Sequence, residues 1–167
     1  GSSPLGSLGY VETALEIGAQ VRGREMPEPD WIVVPTGSGG TAAGLALGLA
    51  LAGLRTRVLG VIVTEHLQLD ETAISRLARR SADLLRTRGA DFPDPTLNLE
   101  MTADWLGETY GAPTPESAQA TLEARPAGLE LDPVYTSKAM AALLDTARRG
   151  ELGSGPVLFV NTNGPRP

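Results

Sequence analysis

The chain contains no cysteine. That excludes disulfides, thiolate metal centres and a cysteine nucleophile. Histidine occurs once, at His66. A multi-histidine zinc cage is therefore excluded, and a Ser-His-Asp triad would have to be built on that one residue. Lysine also occurs once, at Lys138, among 14 basic residues. Covalent amine chemistry would have to use Lys138 or an amine from another polypeptide. Positive charge is in deficit: the formal net charge is −6. This argues against nucleic acid as a partner, because phosphate-backbone binding needs a basic face. No span approaches the ~18 uninterrupted apolar residues of a membrane helix. No charged segment followed by an apolar one opens the sequence, so no secretory signal is read there and a cytoplasmic location is expected.

What is present suits a packed α/β domain. The 167 residues are 41% hydrophobic and 20% charged, enough for one domain with a core. Aromatics are only 4%, so that core must be built from Leu, Val, Ile and Ala. Gly (20) and Pro (13) are plentiful, which implies many turns.

Apolar residues at Leu8, Val11, Leu15 and Gly18 recur at helical spacing and predict a helix over about 7–24, stopped by Pro27 and Pro29. Trp31 to Val34 is a buried strand, and Ala42 to Ala52 a helix apolar on nearly every side. Arg57 to Val63 is a second strand. Asp70 caps a helix with Ile74, Leu77, Leu84 and Leu85 inward and Arg76, Arg79, Arg80 and Arg86 on a solvated face. Leu97 to Met101 alternates weakly as a third strand. Thr114-Pro115-Glu116 starts a helix, Thr136-Ser137 opens another that ends at Gly150, and Val157 to Val160 is the last strand. Strands alternating with helices predict a three-layer α/β fold: a mostly parallel sheet with helices on both faces. Ligands bind such sheets outside the carboxyl ends of the strands. Three polar clusters fall there: residues 36–41, Thr64-Glu65-His66 and Asn161-Thr162-Asn163, the first and last being the stronger candidates.

Gly37-Ser38-Gly39-Gly40-Thr41 lies between a strand and a helix. Glycines there let backbone N–H groups converge at the positive end of a helix, and Ser38 and Thr41 add hydroxyls. This is a phosphate cup. It is not a nucleotide P-loop, because Gly44 is followed by Leu45 and no Gly-Lys-Ser/Thr occurs. Gly37 to Ala42 does match the G-x-G-x-x-A dinucleotide turn, with Glu65 as the nearest ribose acid, although farther on than the usual ~20 residues.

Further segments occur in order around this turn. They are Gly1-Ser2-Ser3-Pro4-Leu5-Gly6-Ser7-Leu8-Gly9-Tyr10, then Tyr110-Gly111-Ala112-Pro113-Thr114, Leu131-Asp132-Pro133-Val134-Tyr135-Thr136-Ser137-Lys138-Ala139-Met140 and Asn161-Thr162-Asn163-Gly164. Together with the glycine turn they resemble the D-cysteine desulfhydrase and 1-aminocyclopropane-1-carboxylate (ACC) deaminase family of pyridoxal-phosphate (PLP) enzymes, over nearly the whole chain. The resemblance implies a tryptophan-synthase-β-like fold, present as a single domain over 1–167 that matches the large PLP-binding domain. It implies that Gly37, Ser38, Gly39, Gly40 and Thr41 hold the cofactor phosphate. It assigns Tyr135 to stacking on the ring, Tyr110 to a second active-site tyrosine near the substrate, and Thr162 to the hydroxyl facing the pyridine nitrogen. Thr136, beside the stacking tyrosine, joins the cofactor-binding set. ACC deaminases carry a Glu at the position of Thr136 and a Leu at that of Thr162, so both residues fall on the desulfhydrase side. The implied reaction is β-elimination from D-cysteine or a similar small amino acid.

The resemblance also carries departures. The family's Schiff-base lysine and its substrate-contacting Ser-Asn segment lie upstream, in an N-terminal part that this chain lacks. The chain is thus expected to be a fragment, inactive alone as a lyase, with that N-terminal part as its partner and a homodimer as the parent assembly. Lys138 matches a family lysine that is not the Schiff base, and is expected to cap or salt-bridge at a helix start. Arg125-Pro126-Ala127-Gly128 replaces the family's Arg-Thr-Glu-Gly, so a helix should end there. The segment between Tyr110 and Tyr135 is one residue short, and Asn163 replaces a glycine. His66 matches no motif and is expected to be a partly exposed loop residue. The alternatives from other classes are a dinucleotide-binding oxidoreductase domain and a non-catalytic phosphate-binding relic.

Overall fold

The computed structural model describes residues 2–162. Four parallel strands form one sheet: β1 (Trp31–Thr36), β2 (Arg57–Ile62), β3 (Leu99–Thr102) and β4 (Val157–Phe159), in the order β3-β2-β1-β4. Trp31 pairs with Arg57 on one side and with Val157 on the other, and Val58 pairs with Leu99. Five α-helices surround it: α1 (Pro4–Arg22), α2 (Gly40–Leu51), α3 (Glu71–Thr87), α4 (Pro115–Ala124) and α5 (Thr136–Arg148).

β1 shows why its sequence is apolar from Trp31 to Pro35. Alternate side chains point to opposite faces, and both faces are covered. Ile32 and Val34 pack with Val11, Ile17, Leu45, Leu49 and Ile74 from α1, α2 and α3. Trp31 and Val33 pack with Trp105, Ala120, Met140 and Ala142 on the side of α4 and α5. Burial of this kind supplies about 1.5–3 kcal/mol per large aliphatic side chain. The α1–α2 contact is closer than aliphatic side chains would allow. A Cβ at Gly44 would lie 2.7 Å from Tyr10 Cβ, and one at Gly48 would lie 2.6 Å from Ala14 Cβ. Small residues thus let α1 lie against α2, which brings Tyr10 to the start of α2.

Three helices start where local chemistry dictates. The Ser3 hydroxyl accepts the Gly6 N–H at 3.0 Å with Pro4 at the first helical position, so α1 begins earlier than the apolar periodicity alone indicates. Asp70 accepts the Ala73 N–H at 2.7 Å. Thr114 and Ser117 form a reciprocal cap. α4 ends at Ala124, and Arg125–Ala127 form a short 3-10 turn around Pro126. No helix among the described residues is long and apolar enough to cross a membrane.

The strand order places the site. β2 lies on one side of β1 and β4 on the other, so the chain reverses its winding direction at β1. A crevice opens at such a switch point, beyond the carboxyl ends of the strands. The segments after β1, β2, β3 and β4 all leave at this same edge, because every pairing is parallel.

Candidate active site

The turn after β1 meets α2 through Gly39, which has φ +86°. This is the left-handed region that favours glycine, and a Cβ there would also run into Ile74 Cδ1. The next residues begin α2, whose first N–H groups have no intrahelical acceptor. In α1, α3 and α4 a side chain caps the amino end, and α5 has Asp132 in that duty. At α2 the N-cap is Gly39, which has no side chain to cap with. Gly40, Thr41 and Ala42 thus bring uncapped donors and the positive helix end to the crevice.

Tyr135 forms the facing wall. A Cβ at Gly37 would lie 2.8 Å from Tyr135 Cε1, so the ring occupies the space beside that glycine. The tyrosine is held by a nearly buried carboxyl group at the start of α5. Asp132 Oδ1 accepts the N–H groups of Val134 (2.9 Å) and Tyr135 (2.8 Å), and Oδ2 accepts that of Thr136 (2.9 Å). The Thr136 hydroxyl donates to Asp132 Oδ2 at 2.7 Å, and Thr136 is fully buried. Thr136, expected in the cofactor-binding set, is thus tied to the Asp132 turn at the start of α5. Its hydroxyl is turned into the Asp132 turn, and Thr136 is not among the residues lining the crevice. Its effect on the site passes through Tyr135.

Tyr110 approaches from the loop after β3. Its hydroxyl lies 2.7 Å from that of Tyr135, and the two rings meet edge to face, with centroids 6.0 Å apart. That loop is pinned from two sides. Glu65 accepts the Thr109 hydroxyl (2.6 Å) and the Tyr110 N–H (2.7 Å). The Thr109 hydroxyl is the main reason that the Glu65 carboxyl is held below its ordinary range. Lys138 Nζ donates to Leu106 O (2.6 Å) and, more weakly, to Thr109 O (3.5 Å).

The expectation that Lys138 caps or salt-bridges a helix start is therefore corrected. Its side chain is fully buried, among the described residues it makes no ion pair, and it serves the loop that carries Tyr110. Burial pushes its ammonium below the ordinary lysine range, and the charge of Glu65 opposes that shift. His66 is exposed, 3.9 Å from Glu65 and beside Tyr110.

The crevice itself, about 380 Å³, is lined by the whole 36–41 turn with Tyr10, Tyr135 and Thr162. The structure thus gathers Gly37, Ser38, Gly39, Gly40, Thr41, Tyr135 and Thr162, with Tyr110 joined through its hydroxyl. Asn163 and Gly164, which belong to the same expectation, lie outside the described residues. Tyr10 and Glu65 were not expected at a PLP site. The Gly-Tyr step at Gly9-Tyr10 was visible, but only the α1–α2 packing brings it here. Glu65, in the weaker of the three polar clusters and the candidate ribose acid, has its two oxygens occupied by Thr109 and Tyr110. The residues present fit a phosphorylated aromatic cofactor. An uncapped helix start preceded by glycine suits a phosphate, and the ring wall of Tyr135 suits a flat heterocycle.

Comparison with known proteins agrees with that fit. A protein of Pyrococcus furiosus, provisionally named 1-aminocyclopropane-1-carboxylate deaminase, is 39% identical over 165 residues, 98% of this chain and 48% of its own length. The D-cysteine desulfhydrase of Yersinia pestis is 37% identical over 166 residues, with the same coverage. Among solved structures, an ACC deaminase homologue superposes with a TM-score of 0.79 at 36% identity, covering 98% of this chain and 47% of that one. The chain thus spans about half the length of the relatives it matches. The model of the pyridoxal-phosphate dependent enzymes matches residues 1–163, and the chain belongs to that family.

Proposed function

We propose that this chain forms the phosphate- and ring-binding wall of a PLP-dependent lyase acting on D-cysteine or a similar small amino acid. The observation that supports it is the meeting of the uncapped α2 start, Tyr135 and Thr162 around one crevice. In this reading Gly37 to Thr41 bind the phosphate through backbone N–H groups and the Ser38 and Thr41 hydroxyls. Tyr135 stacks on the ring, and the Thr162 hydroxyl meets the ring nitrogen. A neutral hydroxyl leaves that nitrogen largely unprotonated. This suits a reaction in which a good leaving group at Cβ does part of the work. Tyr110 stands on the substrate side, where its hydroxyl and that of Tyr135 can hold or pass a proton. When bound, PLP supplies the electron sink for loss of the substrate's α-proton. D-Cysteine and water would give pyruvate, ammonia and sulfide.

The amine that anchors the cofactor would come from polypeptide beyond these 167 residues, since the one lysine is buried under the Tyr110 loop. That polypeptide is the proposed partner, and the assembled enzyme is proposed to be a homodimer. ACC deamination is the second reading, favoured by the ACC deaminase homologue among the solved structures. ACC and water would give 2-oxobutanoate and ammonia, so the keto-acid product separates the two.

The direct test is equilibrium binding of PLP to the chain, read by absorbance and competed with inorganic phosphate. Saturable binding that phosphate displaces, and that Tyr135→Ala weakens, is expected. Absence of binding by the folded chain, or binding indifferent to phosphate and to Tyr135→Ala, overturns the reading. Enhancement of reduced-nicotinamide fluorescence in place of PLP binding would return the dinucleotide alternative.

A further inference from the structure

Glu65 stands outside the cofactor wall, on the segment after β2, yet it touches the loop that carries Tyr110 at two points. Its two oxygens take separate donors, the Thr109 hydroxyl at 2.6 Å and the Tyr110 N–H at 2.7 Å. Thr109 is also gripped from the other side, because its carbonyl accepts from the buried Lys138 Nζ at 3.5 Å while Leu106 O accepts at 2.6 Å. The loop therefore lies between an anion that takes its donors and a cation that takes its acceptors. Charge-assisted hydrogen bonds are about twice as strong as neutral ones, and here they fall on Leu106, Thr109 and Tyr110 of one loop. The exposed His66 ring lies beside this contact, its Nδ1 3.9 Å from Glu65 Oε1. Tyr110 is itself partly exposed, and among the described residues its hydroxyl contacts that of Tyr135. Its position is thus set by the backbone that Glu65 and Lys138 hold.

We propose that Glu65 is a positioning residue that, together with Lys138, clamps the 106–110 loop and so sets the Tyr110 hydroxyl against that of Tyr135. The catalytic meaning of that position rests on the reading given under Proposed function; the clamp itself does not. Glu65 acts through Tyr110 and is not among the residues that line the crevice.

Lys138 provides the readout, because it is the only lysine in the chain. The amine is acylated with an N-hydroxysuccinimide acetate and followed by mass spectrometry, with the amino terminus as the internal reference. In the intact chain Lys138 should react slowly. Glu65→Ala should raise its rate about tenfold, the scale expected from losing a hydrogen bond to a charged group. Glu65→Asp should fall between the two, and circular dichroism should be unchanged. A rate in Glu65→Ala equal to that of the intact chain overturns the clamp. If Glu65→Ala does not fold, Thr109→Val decides: a faster rate supports the clamp, and an unchanged rate overturns it.

PLP affinity is measured on the same samples. Weaker binding in Glu65→Ala with a loosened loop supports the positioning role, and unchanged binding with a loosened loop overturns it. A chain that binds no PLP at all overturns the reading under Proposed function, while the acylation rates still decide the clamp.

Discussion

The hydroxyls of Tyr110 and Tyr135 lie 2.7 Å apart across 25 positions of sequence. The backbone of each tyrosine is held by a carboxyl group. Asp132 fixes Tyr135 through backbone N–H groups, and Glu65 fixes Tyr110 in the same way. Two carboxyl groups outside the crevice thus determine how its two aromatic residues meet.

Tyr135 carries the ring contact, so its substitutions should separate stacking from hydrogen bonding. Tyr135→Phe keeps the ring beside Gly37 and loses the bond to Tyr110. Tyr135→Ala loses both. We expect PLP affinity to fall roughly tenfold in Tyr135→Ala, the scale of an aromatic contact, and much less in Tyr135→Phe. Parallel PLP titrations check this, and equal losses in the two variants would contradict it.

Asp132 is nearly buried and accepts three backbone N–H groups and one hydroxyl. Asp132→Ala strands those donors and should destabilise the chain by about 3 kcal/mol. Asp132→Asn, which keeps one acceptor oxygen, should cost less. Urea midpoints at constant slope are the measurement.

Gly39 should resist substitution for two separable reasons. Gly39→Ala forces an L residue to φ +86°, at a cost of about 1–2 kcal/mol, and drives its Cβ into Ile74 Cδ1. Ile74→Val removes that methyl group. A double-mutant cycle should therefore show Ile74→Val less harmful beside Gly39→Ala than in the parent. Strict additivity would mean that the backbone conformation alone excludes a side chain.

Acid should loosen the Tyr110 loop before the sheet. The Glu65 carboxyl is held below its ordinary range, chiefly by the Thr109 hydroxyl. A depressed carboxyl contributes stability that is complete above its unfolded value and lost as pH falls through its folded one. The loss should therefore appear below about pH 4. Amide protection at Tyr110, corrected for the intrinsic pH dependence of exchange, should fall in that window while Val33 and Leu59 stay protected. In Glu65→Gln the step should vanish. A Tyr110 amide whose protection tracks that of the sheet at every pH would contradict the expectation.

Much of this was legible in the sequence, for local reasons. The caps at Asp70 and Thr114, the glycine turn and the unbroken apolar run of β1 are each encoded within a few residues. Capping geometry, a positive φ and two-faced burial act at that range. The glycine turn at 36–41 follows for the same reason, and the crevice it lines also holds Tyr135 and Thr162, which the resemblance groups with it. The surroundings of Thr136 and Lys138 were not legible, because they come from elsewhere in the fold. That the Thr136 hydroxyl donates to Asp132 follows from the buried turn before α5, not from any local pattern. A lysine at a helix start can face water or a loop, and only the packing of the 106–110 loop buries it.

By itself the sequence determined which segments are strands and helices, that the sheet is parallel, and that a glycine turn opens α2. Tertiary structure alone decided the order β3-β2-β1-β4, the crevice at the β1–β4 reversal, and the company of Tyr10, Glu65 and Lys138 around the tyrosines. The reason is one of range. Backbone dihedrals, caps and hydrophobic period are set by near neighbours. Which strand lies beside which is settled by burying two faces of one sheet at once, and no short stretch of sequence carries that condition.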